Sequence, residues 1–226
     1  MPKGGRIGYN GSMSRILSII QNPLGLLYLL PALLLGLTLH EWGHAYAAYR
    51  CGDPTARNLG RMSLNPLDHL DLIGTLCLLL VGFGWAKPVP VNPRNFRNYK
   101  RDDIIVSLAG VAMNLLQVVV FSALYVILWR SSAALRGNEA FNTIFFYLIG
   151  INTTLIIFNL IPIPPLDGSH VAENLLARHV PYKVFAFLHQ YGRYILLALL
   201  WLGILDYPIS WAQNLVFSTI VKLLLA

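Results

Sequence analysis

Apolar residues dominate four stretches of this chain, 24–48, 104–129, 141–163 and 194–226, and polar, turn-forming residues separate them. At about 1.5 Å per residue the first stretch would make a helix of about 37 Å, enough to cross a bilayer. Between the first two stretches lie "YRCGDPTARNLGRMSLNPLDHLD", a short apolar run over 72–86, and "KPVPVNPRNFRNYKRDD". The Gly, Pro and Asn residues of these polar segments are turn signals. A short polar turn near "RSSAALRGNEA" joins the second and third stretches. Residues 168–193 have the pattern of a partly amphipathic surface segment. The last stretch is broken once, at "DYP", and reads as two short spans or a hairpin. The pattern predicts an all-α polytopic membrane protein of a single domain, 1–226, with about five to six transmembrane helices.

Composition agrees. Hydrophobic residues make up 56% of the 226 residues and charged residues 12%, about half the charged fraction of a soluble domain. The net charge of +7 comes without a basic, aromatic-interleaved face on a soluble scaffold, so no nucleic-acid partner is expected. Basic loops that orient spans in the lipid bilayer account for it better. Two cysteines, Cys51 and Cys77, are too few for a disulfide framework. Residues 1–15 are basic but lack a small-residue cleavage site, so no removable signal peptide is expected.

The first apolar stretch carries an anomaly, His40-Glu41-Trp42-Gly43-His44. Burying ionisable groups in an apolar medium is costly unless they are paired or bind a metal. Residues four apart share one helix face, so both imidazoles can reach one ion, and zinc is the default for such ligands. Glu41, beside the first ligand, can take a proton from water at that ion. A catalytic zinc needs a third protein ligand and an open position. Asp167 stands out in the small pool of acids. It follows "NLIPIPPLDG", where Pro162, Pro164 and Pro165 open the backbone at the end of a span. Taken alone, however, Asp167-Gly168 reads more readily as an ordinary turn.

"HEWGH" followed by "NLIPIPPLDG" resembles the site-2 protease family of intramembrane zinc metalloproteases, which pairs H-E-x-x-H with N-x-x-P-x-x-x-L-D-G on a later span. Asn159, Pro162, Leu166, Asp167 and Gly168 match the second motif. The resemblance implies one Zn2+ per chain held by His40, His44 and Asp167, with Glu41 as general base and Asn159 assisting catalysis. "GWAKPVPVNP" resembles a segment of the family's compact branch. "LAGVAMN" resembles its G-P-x-x-N motif at Gly110 and Asn114, with Val111 in place of proline. Asn114 could face the site, or Gly110 could serve span packing. No PDZ or CBS domain fits the remaining length. Among the other histidines, His69, His179 and His189 are expected at the surface or interface. His170 has a surface position as its default and an outer role at Asp167 as the alternative. Trp42 and Tyr46 are expected to pack.

If one ion touches His40, His44 and Asp167, the first and third apolar stretches must end on the same side, where the second begins. The basic residues Arg50, Arg57, Arg61, Lys87, Arg94, Arg97, Lys100 and Arg101 then share that side, which the positive-inside rule makes cytoplasmic. Residues 72–86 must re-enter or lie shallow. Lys3, Arg6 and Arg15 would face the other side unless residues 16–30 make an additional dip. Pro88 and Pro90 strip donors from one edge of a strand and leave the N–H groups of Lys87, Val89 and Val91 on the other. A short β-structured loop beside the zinc, pairing with an extended substrate, is the resulting expectation, balanced against a merely stiff loop.

The expected function is a metalloprotease of a cell membrane, its site open to the cytoplasm, acting on transmembrane protein substrates. A membrane zinc protein that binds such segments without cutting them is the alternative. Glu41 argues against it, because zinc binding alone needs no base. Six histidines are too few and too scattered for a di-metal hydroxylase or desaturase. The sequence leaves the oligomeric state open.

Overall fold

A computed structural model describes residues 23–71, 73–74 and 86–225. Its helices are α1 (Pro23–Cys51), α2 (Thr55–Asn58), α3 (Tyr99–Ser131), α4 (Ala133–Arg136), α5 (Glu139–Asn159), α6 (Asp167–Leu176), α7 (Tyr182–Trp201) and α8 (Asp206–Leu225), with 3-10 turns at Pro66–Asp68 and Pro93–Asn95. Among the described residues, α3, α5 and α7 are long and apolar enough to cross a membrane by length and composition. The 29 residues of α1 give it a length of about 43 Å, and its polar residues gather in its C-terminal half. The expected all-α membrane architecture is therefore present in outline. The expected re-entry of residues 72–86 lies largely outside the described residues, as do residues 16–22 of the expected dip at 16–30, while 23–30 continue into α1 as one helix.

Helices α1, α3 and α5 form the centre. Gly36 of α1, Asn114 of α3 and Asn152 of α5 meet at one level: Asn114 Nδ2 donates to Gly36 O at 3.0 Å and to Asn152 Oδ1 at 2.8 Å. Nearer the end of α1, His44 lies against Val106. Rising from 36 to 44 along α1 thus means falling from 114 to 106 along α3. The two helices run antiparallel, and α1 ends where α3 begins, as the sequence requires. A Cβ on Gly43 would stand 2.9 Å from Ala109 O, so this glycine allows the close crossing.

The two ends of the bundle pack differently. At one end Val118, Tyr125, Ile149 and Ile220 form an apolar cluster with rings such as Phe145 and Phe217. At the other, small residues leave room: Ala45 and Ala56 pack on Val89, and Ala48 and Cys51 on Val106. Asp53, fully buried, ties the loops there. It accepts from Thr55 N and Oγ1, from Asn92 N at 2.7 Å and from Asn95 Nδ2 at 2.7 Å. Burial alone would push this carboxyl up, but the hydrogen bonds from Thr55, Asn92 and Asn95 outweigh it and hold it below the usual carboxylate range.

Two expectations need correction. Residues 168–193 are not one surface segment. They divide into α6 and the first part of α7, which continues to Trp201. Its buried residues Gly192 and Leu196 lie about one turn apart, and a Cβ on Gly192 would meet Pro164 O at 2.3 Å. The face that docks is therefore made by a glycine, which hydropathy does not register. The break in the last stretch falls at Leu202–Leu205, where Gly203 has φ +69. "DYP" opens α8 instead, because proline is tolerated in a first turn.

Candidate metal centre

One helical turn separates His40 from His44, and the rings point the same way toward α3. Their Nε2 atoms stand 3.0 Å apart. Asp167, the first residue of α6, reaches both with Oδ2 at 3.3 Å. Its approach depends on the turn before it. Leu166 N donates to Ile163 O at 3.1 Å and Ser169 N to Leu166 O at 3.0 Å. A Cβ on Gly168 would sit 2.5 Å from Leu160 C and O, so the chain folds back on the end of α5 only with glycine there.

The second nitrogen of each ring fixes the chemistry of the first. His44 Nδ1 is 2.7 Å from the Val106 carbonyl, which can only accept, so Nδ1 carries the proton. His40 Nδ1 is 2.7 Å from Asn114 Oδ1. That amide is oriented by its two Nδ2 donations, and Asn152 in turn donates to Leu148 O at 2.8 Å. In its neutral form each ring therefore turns a bare Nε2 lone pair toward Asp167 Oδ2, a buried atom with no hydrogen-bond partner. Three such acceptors repel one another unless a cation or proton sits among them. Zinc bonds of about 2.0–2.1 Å in a tetrahedron put ligand atoms about 3.3 Å apart, close to the observed spacing. His40, His44 and Asp167 are the group of described residues that could hold a metal ion.

Glu41 lies between the histidines in sequence, 9% exposed, and its Oε2 accepts from Val89 N at 2.9 Å. Asn159, the last residue of α5, donates from Nδ2 to Leu155 O at 3.0 Å. Gly110 has its reason here, since a Cβ would meet His44 Nε2 at 2.4 Å and His40 Cε1 at 2.5 Å. Asn114 faces the site as well, so both readings of "LAGVAMN" hold. Asn152 was missed by sequence reasoning; the signal was a carboxamide inside a 21-residue apolar helix. His170 pairs with Asp103 at 3.5 Å, which raises its imidazole pKa, and not with Asp167. His189 pairs with Glu173 at 2.7 Å. His69, expected at the surface, is 1% exposed, because its Nε2 donates to Ser63 O and its carbonyl accepts from Lys87 N.

The loop expected to be β-structured contributes one antiparallel bridge, Leu70 with Ala86, among the described residues. Two of the three donors expected on its open edge are already engaged, Lys87 N by His69 O and Val89 N by Glu41. The sequence could not place position 89 beside position 41.

The amide chain behind His40 yields a prediction. Asn114→Ala removes the acceptor that fixes the His40 tautomer, and should weaken zinc binding about 10–100-fold. Competition with a calibrated chelator on the purified protein measures it; unchanged affinity would leave Asn114 a packing residue only.

Comparison with known proteins agrees with the site. The model for Peptidase family M50 matches residues 131–202. YwhC of Bacillus subtilis, named as a zinc metalloprotease, is 40% identical over 167 residues, covering 72% of this chain and 75% of that protein. Rip2 of Mycolicibacterium smegmatis, also named as a zinc metalloprotease, is 32% identical over 172 residues, 74% of this chain and 64% of its own length. Rip2 of Mycobacterium tuberculosis is 31% identical over 165 residues, 68% and 61% respectively. No solved structure matches. The chain belongs to Peptidase family M50, the site-2 protease family. It is a zinc metalloprotease with membrane helices, and Zn2+ is its cofactor.

Proposed function

We propose that this chain is an intramembrane protease that hydrolyses peptide bonds in or near transmembrane segments of other membrane proteins. One observation carries the proposal: ligand atoms from α1 and α6 converge, with a buried glutamate beside them, against α3, a helix long and apolar enough to cross a bilayer. In this reading His40, His44 and Asp167 hold the zinc. Bound there, zinc polarises the scissile carbonyl and acidifies the attacking water. Glu41 accepts the water proton and delivers it to the leaving amine. Asn159 turns from Leu155 O to donate to the scissile carbonyl oxygen. Val106 O and Asn114 Oδ1 keep both imidazoles in the ligating tautomer.

Orientation and span count belong to the same reading. The basic residues Arg50, Arg57, Arg61, Lys87, Arg97 and Arg101 flank the end of α1 and the start of α3, the end that carries the triad. The positive-inside rule turns this end to the cytoplasm of a cell membrane, from which water enters. About five to six crossings complete the arrangement.

The test is purified protein in proteoliposomes with a labelled single-span substrate, the cut mapped by mass spectrometry. Cleavage within the apolar segment or at its edge is expected. Cutting confined to soluble loops, or none, would overturn the proposal.

A further inference from the structure

The segment Pro88-Val89-Pro90 offers one backbone donor between two residues that have none. That donor goes to Glu41. We propose that the Val89 N–H is a positioning group for the catalytic base, holding the Glu41 carboxylate in the orientation from which it takes the water proton. The inference rests on Glu41 as general base.

A glutamate carboxylate swings on several torsions, each with its own staggered wells. Glu41, buried beside the triad, has little water to steady it. A hydrogen bond from a fixed N–H to an ionised oxygen is short and strong enough to select one orientation. The observed contact, 2.9 Å to Oε2, leaves Oε1 for the reaction.

The mount is stiff by construction. Each proline fixes its own φ and holds the residue before it, Lys87 or Val89, in extended backbone. Four anchors hold the segment from both flanks. Lys87 N donates to His69 O at 2.8 Å. Arg61 Nη2 donates to Lys87 O at 2.9 Å and to Pro88 O at 3.3 Å. Asn92 N donates to Asp53 Oδ2 at 2.7 Å. The Val89 side chain packs on Ala45 and Ala56, and Ala45 lies one helical turn beyond Glu41. Side chain and N–H of Val89 thus grip the same stretch of α1, one by packing and one by hydrogen bonding. The competing use of this N–H, pairing with an extended substrate, would take it away from Glu41.

The test deletes a single N–H. Replacing Val89 by its α-hydroxy acid through nonsense suppression keeps the side chain and turns the amide into an ester. Positioning predicts that kcat falls at least about tenfold, with KM within about twofold of the wild type and zinc content unchanged. A rise in KM at unchanged kcat would overturn the proposal in favour of substrate pairing, and unchanged kinetics would overturn it outright. A second readout needs no cleavage. In 15N-valine-labelled protein the Val89 amide resonance, identified by its loss in Val89→Ala, should lie downfield and move upfield in Glu41→Ala. If it does so while the wild type cleaves nothing, the protease reading fails and the contact stands. A resonance indifferent to Glu41→Ala would remove the contact whatever the activity.

Discussion

Glu41→Gln should bind zinc as the wild type does and cleave at least about a hundredfold more slowly, the usual cost of losing a positioned general base. The two halves of this result have separate causes. Glu41 is not one of the three residues whose donor atoms converge, so replacing its carboxylate by an amide leaves the ligand set intact. Glutamine is nearly isosteric and keeps an oxygen that can accept from Val89 N, so the loop keeps its anchor and the fold its stability. What disappears is the proton acceptor. Zinc per chain by atomic emission and single-turnover cleavage of a transmembrane substrate measure both halves on one preparation. Cleavage at the wild-type rate would assign the base to another residue.

Gly110→Ala should lose most of its zinc affinity, by at least the roughly 10–100-fold seen when a ligand's supporting contact is removed. Alanine is the better helix former, so helix propensity predicts no harm in the middle of α3. The harm comes from position. A Cβ at 110 would lie 2.4 Å from His44 Nε2 and 2.5 Å from His40 Cε1. Neither ring can retreat without breaking its Nδ1 bond to Val106 O or Asn114 Oδ1. Gly150→Ala is the matched control: it sits in α5, and its nearest neighbours would be Gln213 Nε2 at 3.6 Å and Phe217 Cζ at 3.8 Å, ordinary contact. Zinc dissociation constants of the two variants, side by side, decide it. Equal affinity would mean that the rings do not lie against α3.

What the sequence made legible follows from how far each feature reaches along the chain. H-E-x-x-H is local, one turn of one helix, so its geometry could be derived without the fold. Asp167 required a second motif far away, because an Asp-Gly pair alone has a commoner explanation as a turn. The antiparallel order of α1, α3 and α5 followed from asking one ion to touch three residues. The partners of the ligand rings did not follow. Val106 acts through its carbonyl, which its side chain does not encode, and Asn152 depends on a register between α3 and α5. His69 misled because a polar neighbourhood in sequence was taken for an exposed one in space, whereas the return of Lys87 covers it. The partly amphipathic pattern of 168–193 suggested a surface segment, yet in α7 His189, Gln190 and Arg193 are the exposed residues of a helix that docks through Gly192.

Zinc K-edge X-ray absorption on the purified wild type reads out whether His40, His44 and Asp167 together hold a catalytic zinc. The spectrum should show only nitrogen and oxygen neighbours at about 2.0–2.1 Å, with the outer-ring scattering of two imidazoles. In Asp167→Ala one oxygen neighbour should be lost or replaced by solvent, with a marked fall in zinc affinity. A sulfur neighbour at about 2.3 Å, or an Asp167→Ala protein with wild-type spectrum and affinity, would mean that these three residues are not the zinc ligands.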